Sequence, residues 1–190
     1  RTKVQPYGAY PASIAAGEAM DEAHRRLAQA LNVGTDWIHI GPSTSANTYS
    51  LAHAFEGWLK PGEAIVVTNQ DHEANSGAWR KLMARGIDVR EWKIDPQTGH
   101  LDLAALDKLF DSKVRLVAFP HATNIVGEIN PVADVARRAK SYGAVTVVDG
   151  VSYAPHGLPD LLSLGCDVYL FSAYKTYGPH QGVMAVRPSL

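Results

Sequence analysis

The sequence predicts a three-layer α/β fold in which a mostly parallel sheet of about seven strands is covered by helices on both faces. Three observations carry that reading. Short apolar runs and helix-period patterns alternate along nearly the whole chain, the order that builds parallel sheets through crossover helices. The runs "AIVV" and "VTVV" are apolar at consecutive positions rather than at every second one, as strands buried on both faces require. No internal repeat, low-complexity tract or long linker interrupts the alternation, so one layered unit is expected over residues 1–190.

The elements follow in order. "EAMDEAHRRLAQAL" (18–31) places Ala19, Ala23, Leu27, Ala30 and Leu31 at helical spacing. "DWIHI" (36–40) reads as a short strand and "SANTYSLAHAFEGWL" (45–59) as a helix. Next come the strand "AIVVTN" (64–69), the helix "SGAWRKLMARG" (76–86) ending at Gly86, and the strand "DVREWKI" (88–94). After "DLAALDKLF" (102–110) follow the strand "VRLVAFP" (114–120), the helix "VADVARRAKSYG" (132–143) and the strand "AVTVVDG" (144–150). "DVYLFSA" (167–173) and "GVMAVR" (182–187) close the chain. The connection "YKTYGPHQ" between them has no room for a crossover helix, so the final strand is expected to run antiparallel.

Composition narrows the function classes. A formal net charge of -1 offers no field for a polyanion, so no nucleic-acid partner is expected. No apolar run approaches the roughly 18 residues that span a bilayer, and no signal-peptide pattern opens the chain, so no membrane partner is expected either. A single cysteine, Cys166, excludes an internal disulfide framework and fits a reducing, cytoplasmic compartment. The eight histidines show no HExxH spacing and Cys166 has no cysteine near it, so no metal site is expected. The chain opens on Arg1 and stops shortly after an apolar run, which suggests a piece of a longer protein.

In open α/β sheets ligands bind beyond the carboxyl ends of the strands. Five strands here deliver polar residues to that rim: Ser43, Thr44 and Ser45 after the first, His72 after the second, Asn124 after "VRLVAFP", Asp149 after "AVTVV", and Ser172, Tyr174 and Lys175 after "DVYLF". The hydroxyl cluster opens a helix, where free N–H groups and the helix dipole favour an anion such as phosphate; capping is its simpler use. Neither GxxxxGK nor GxGxxG occurs, so no nucleotide cradle is indicated. Asp149 ends an apolar strand, where an unpaired carboxylate is costly and calls for a cation or hydrogen-bond donors. His72 and Asn124 each have loop roles that need no ligand.

Lys175 is the sharpest feature. A lysine that spends time neutral condenses with an aldehyde to give a Schiff base. Pyridoxal 5'-phosphate needs such a lysine, an acid for its ring nitrogen and an anion site for its phosphate. Lys175, Asp149 and the Ser43–Ser45 turn supply all three. A hydrolase triad of Ser43, His121 and Asp149 is the competing enzyme class, but "GPSTS" is not GxSxG.

The stretch "VVDGVSYAPHGLPDLLSLGCDVYLFSAYKTYGPHQGVM" resembles the cofactor-lysine region of class V aminotransferase-like, fold-type I pyridoxal phosphate enzymes, in particular the cysteine desulfurase and selenocysteine lyase branch. "DHEANSGAW" is similar to the stacking-histidine segment of that family, "ATNIVGEINPV" to its Ser-Asn-x-x-Gly segment and, more loosely, "GPSTSANTYSLA" to its phosphate-binding turn. The resemblance implies a pyridoxal-phosphate-transferase large domain over residues 1–190, without the family's N-terminal segment and small C-terminal domain. It implies catalytic roles for Lys175 (Schiff base and proton transfer), His72 (stacking) and Asp149 (ring nitrogen), a contact from Asn124 to the ring hydroxyl, and phosphate donors in Ser43, Thr44, Ser45, Ser172 and Tyr174. Two departures stand out: Ser152 where the family usually has glutamine, and Tyr174 where it usually has histidine. A tyrosine hydroxyl still donates to phosphate but brings no titratable positive charge. The implied substrate is an amino acid, the implied reaction desulfurase- or lyase-like with aminotransfer, epimerisation or a catalytically incomplete cofactor-binding fragment as alternatives, and the implied assembly a homodimer of the full-length protein. The family's carboxylate-clamping arginine and loop cysteine have no counterpart in this chain, and Cys166 reads as a packing residue.

Overall fold

The computed structural model describes residues 4–190; residues 1–3, part of the 1–190 expectation, lie outside the described residues. Seven strands follow in chain order: β1 (Ile38–Gly41), β2 (Ala64–Thr68), β3 (Asp88–Trp92), β4 (Val114–Pro120), β5 (Val145–Asp149), β6 (Val168–Ser172) and β7 (Gly182–Val186). They form one sheet in the order β1-β7-β6-β5-β4-β2-β3. β2 pairs in parallel with β3 and β4, β4 with β5, and β5 with β6. β7 runs antiparallel to both of its neighbours, β1 and β6, as the short 174–181 connection requires.

The helices are α1 (Pro11–Ala30), α2 (Thr44–Trp58), α3 (Glu73–Arg80), α4 (Leu103–Asp107), α5 (Val132–Ser141) and α6 (Leu161–Leu164). Successive strand residues point to opposite faces, and two cores result. On one side Val66, Val117, Phe119, Val148, Tyr169 and Phe171 pack with Leu31, which caps the C-terminus of α1, and with Leu106, Val135 and Ala139 from α4 and α5. On the other, Ile65, Val67, Leu116, Ala118, Val147 and Leu170 pack with Leu51, Phe55, Ala78 and Trp79 from α2 and α3. All five residues of β2, β5 and β6 are buried, so the unbroken apolar runs are explained by helices on both faces.

Three boundaries differ from the sequence reading. α1 starts at Pro11, seven residues ahead of the periodic stretch, because its first turns bury small residues, Ser13 and Gly17, which carry no apolar signal. Pro11 sits in the first turn, where its missing N–H costs nothing. α3 starts at Glu73 and tightens over Lys81–Arg85 into a 3-10 turn, which Gly86 ends at φ 79°. α6, four residues between an Asp160 cap and Gly165 at φ 70°, is too short to show a period.

The parallel strands end on one edge, and β7 brings its first residue to the same edge. Gly182 pairs there with Gly41 of β1 and Ser172 of β6. A β-carbon on Gly182 would lie 2.2 Å from the Ser43 carbonyl carbon and 2.3 Å from the Thr44 nitrogen. Glycine at this position therefore lets the N-terminus of α2 sit directly on the strand ends.

Candidate active site

Five strand ends meet at one cleft, lined by Thr44 and Ser45 from α2, Asp71 and His72 after β2, Ala122 and Asn124 after β4, Asp149 and Ser152 at β5, and Ser172, Tyr174 and Lys175 at β6. Every sequence-proposed site residue lines it except Ser43. Ser43 is the N-cap of α2, its Oγ accepting from the Ala46 N–H at 3.1 Å. This satisfies one first-turn donor. Among the described residues no group accepts from the N–H of Thr44 or Ser45, so two donors at the positive end of α2 are left without an acceptor, on residues that line the cleft. Thr44 Oγ1 and Ser172 Oγ lie 2.8 Å apart and buried, tying α2 to the end of β6.

Asp149 ends β5 with 8% of its surface exposed, and its Oδ1 accepts from the Val151 N–H at 2.8 Å. Burial pushes its carboxyl up from the ordinary range, while the Val151 bond, His72 and Lys175 pull the other way. A second carboxylate stands beside it. Asp71 accepts from the His72 N–H at 2.8 Å and from the Asn75 side-chain amide. Burial, and then the charge of Asp149, hold its carboxyl well above the ordinary range. Sequence reading passed over Asp71; the only signal was an acid placed directly before the singled-out histidine.

His72 is exposed and caps α3, its Nδ1 accepting from the Ala74 N–H at 3.1 Å. That bond orients the ring and leaves Nε2 to carry the proton of the neutral form. Lys175 lies in the 3-10 turn Ala173–Thr176 and is exposed to solvent at the cleft. The turn is closed by Gly178 N–H and Thr176 Oγ1, both donating to the Ala173 carbonyl at 2.8 Å, and by Ala173 N–H donating to Gln181. The Tyr174 ring stacks on His180 with centroids 5.0 Å apart and planes 5° from parallel. An imidazole thus stands behind the tyrosine that departs from the resemblance.

The hydrolase triad is not assembled. Ser43 is spent on capping, and His121 Nδ1 lies 2.8 Å from the Tyr169 hydroxyl while its ring stacks on Tyr153. Burial pushes the His121 imidazole down to about 4, so it stays neutral at physiological pH. Cys166 is buried, and that burial, followed by Asp167, pushes its thiol up to about 12. It is therefore no thiolate nucleophile. No helix of the described residues is long and apolar enough to cross a membrane.

The sequence profile of the class-V aminotransferases matches residues 4–190. The chain belongs to that family. Among relatives of this class-V chain, the "Aminotransferase-like protein FGM3" of Gibberella zeae is 40% identical over 94% of this chain and 45% of its own length. A cysteine desulfurase of Serratia proteamaculans is 33% identical over 90% of this chain and 43% of its own. The chain therefore spans less than half of either. Among solved structures, the cysteine desulfurase CsdA from Escherichia coli superposes with a TM-score of 0.85 at 28% identity, covering 98% of this chain and 48% of that one. The apo cysteine desulfurase of Thermococcus onnurineus NA1 gives 0.90 at 26% identity, covering 96% and 46%. The mixed sheet with its single antiparallel strand therefore belongs to the fold over which this chain superposes on both desulfurase structures.

Proposed function

We propose that this chain is the cofactor-binding large domain of a pyridoxal 5'-phosphate enzyme acting on an amino acid, with desulfurase- or lyase-like chemistry. One observation carries the reading: a buried carboxylate, an exposed lysine and a helix N-terminus with two free N–H donors face one cleft. The donor set fits the cofactor group by group. Thr44, Ser45, Ser172 and Tyr174 offer hydroxyls beside the free N–H groups to a phosphate. Asp149 offers a counter-charge to a ring nitrogen, and its burial makes a cationic partner favourable. His72 and Asn124 line the same cleft; His72 would stack on a ring and Asn124 would reach a ring hydroxyl. Lys175 would supply the amine that holds the cofactor and would move a proton at the substrate α-carbon. When bound, the cofactor supplies an electron sink for the charge left at that carbon. Ser152 stands in the cleft in place of a longer glutamine, so its reach to the ring is shorter.

The similarity to desulfurases favours sulfur removal from cysteine; the similarity to an aminotransferase-like relative keeps aminotransfer as the second reading. In the intact protein, proposed to be a cytoplasmic homodimer, added cofactor is expected to give a visible absorbance band that an amino-acid substrate perturbs. Cysteine yielding alanine and released sulfur, or pyruvate with ammonia and sulfide, identifies desulfurase- or lyase-like chemistry, and passage of the amino group to an added keto acid identifies the second reading. No spectral change with cofactor at any concentration contradicts the proposal.

A further inference from the structure

The two loops that carry His72 and Asn124 are tied together by side chains that touch neither residue. Gln70, 6% exposed, lies between the end of β2 and Asp71. Its Nε2 donates both to the Gly99 carbonyl at 3.0 Å and to Glu128. Its Oε1 accepts from Asn130 Nδ2 at 3.0 Å, and its backbone carbonyl accepts from Thr123 Oγ1 at 3.1 Å. Gln70 N–H donates to Thr68 Oγ1 at 3.1 Å, so all of its polar groups are used.

Glu128 gathers further donors. Its Oε1 accepts from His100 Nδ1 at 2.7 Å and from Leu101 N–H at 3.3 Å, and its side chain is only 11% exposed. Thr123, Glu128 and Asn130 all belong to the loop between β4 and α5, whose ends are closed by Thr123 N–H donating to Glu128 and Asn130 N–H to His121. Bonds to a carboxylate are the strong kind, and Gln70 and Glu128 have every side-chain polar atom bonded, while in this network the buried Asn130 Oδ1 alone is left without a partner among the described residues.

We infer that Gln70 and Glu128 form a buried hub that sets the loop of Asn124 against the loop of Asp71 and His72, which makes both of them positioning residues for the cleft. What the loops hold rests on the cofactor reading; the hub itself does not. Removing Glu128 leaves Gln70 Nε2 with Gly99 alone and reduces the tie between the loops to the bonds from Asn130 Nδ2 and Thr123 Oγ1. A cofactor seated between them then loses the fixed approach of Asn124.

Two measurements on the intact protein that carries this chain test the hub. In the cofactor-free protein, Glu128→Ala and Gln70→Met are expected to speed amide hydrogen exchange on the order of tenfold. The faster amides should include Thr123 and Asn130 in one loop and His72 and Asn75 in the other. The milder Glu128→Gln, which turns an amide donor toward Gln70, should act in the same direction. Acceleration confined to the 121–130 loop, or none, overturns the hub. In the second measurement, Glu128→Ala is expected to weaken pyridoxal 5'-phosphate binding about three- to tenfold and to add nothing in an Asn124→Ala background. Binding of the analogue lacking the ring hydroxyl should change less than twofold by the same logic. Additive losses, or equal losses for both ligands, overturn the positioning role. If the unaltered protein binds no cofactor, the cofactor reading falls while the exchange result still decides the hub.

Discussion

Gly182→Ala is expected to lower the melting temperature by roughly 4–10 °C and to weaken anion binding at the cleft. The added β-carbon would lie 2.2 Å from the Ser43 carbonyl carbon, 2.3 Å from the Thr44 nitrogen and 2.6 Å from the Ser43 oxygen. These are backbone atoms, so no rotamer change relieves the overlap. Either β7 leaves its register with Gly41 and Ser172, or the first turn of α2 moves out with its free N–H groups. Both routes damage the same corner. Gly57→Ala is the control: it lies within α2, nothing stands within 4 Å of its added β-carbon, and a small stabilisation of about 0.4–1 kcal/mol is expected. Thermal unfolding of the two variants side by side checks this. A Gly182→Ala protein that melts within a degree of wild type would contradict the close approach.

Asp149→Asn is expected to stabilise the cofactor-free protein at neutral pH by roughly 1–3 kcal/mol, although it removes a proposed catalytic group. Burial raises the Asp149 carboxyl in the folded state, and Asp71 is raised well beyond the ordinary range, by burial first and the Asp149 charge next. A folded-state pKa above the unfolded one means that the folded protein holds protons which the unfolded chain has released. Stability is then complete below the ordinary carboxylate range and is lost as pH rises through the folded values. The asparagine keeps an acceptor for the Val151 N–H and removes both the buried charge and the repulsion on Asp71. Its advantage should vanish near pH 4 and grow toward neutrality. Urea unfolding at several pH values without cofactor measures it. A difference that is independent of pH would show that Asp149 is not carrying an uncompensated charge.

The strand-end residues were legible because a parallel sheet gathers the carboxyl ends of its strands on one edge, whatever the loops do. Knowing that "AIVVTN", "VRLVAFP", "AVTVVDG" and "DVYLFSA" were strands was enough to bring His72, Asn124, Asp149 and Lys175 to one cleft. Burial was not legible in the same way. Lys175, flanked by apolar runs, lies exposed in a turn, whereas His121, weighed as a member of a hydrolase triad, is buried against Tyr169 and Tyr153. Ser43, Thr44 and Ser45 were equivalent in sequence, and only the entry angle of α2 assigns Ser43 to the cap and the other two to the cleft. Asp71, Gln70 and Glu128 were missed because their meaning lies in partners far along the chain, such as Gln70 and Glu128, 58 positions apart. No local period records such a bond.

The central claim is that Lys175 is the amine in a cofactor cleft, and one measurement tests it most directly. The intact protein is loaded with pyridoxal 5'-phosphate, reduced with borohydride, digested and mapped by mass spectrometry. The expected result is a single modified peptide in which an uncleaved Lys175 joins "LFSAY" to "TYGPHQGVMAV", with the label absent from Lys175→Ala. Label on another lysine in preference to Lys175, or equal labelling of the Lys175→Ala protein, would contradict it.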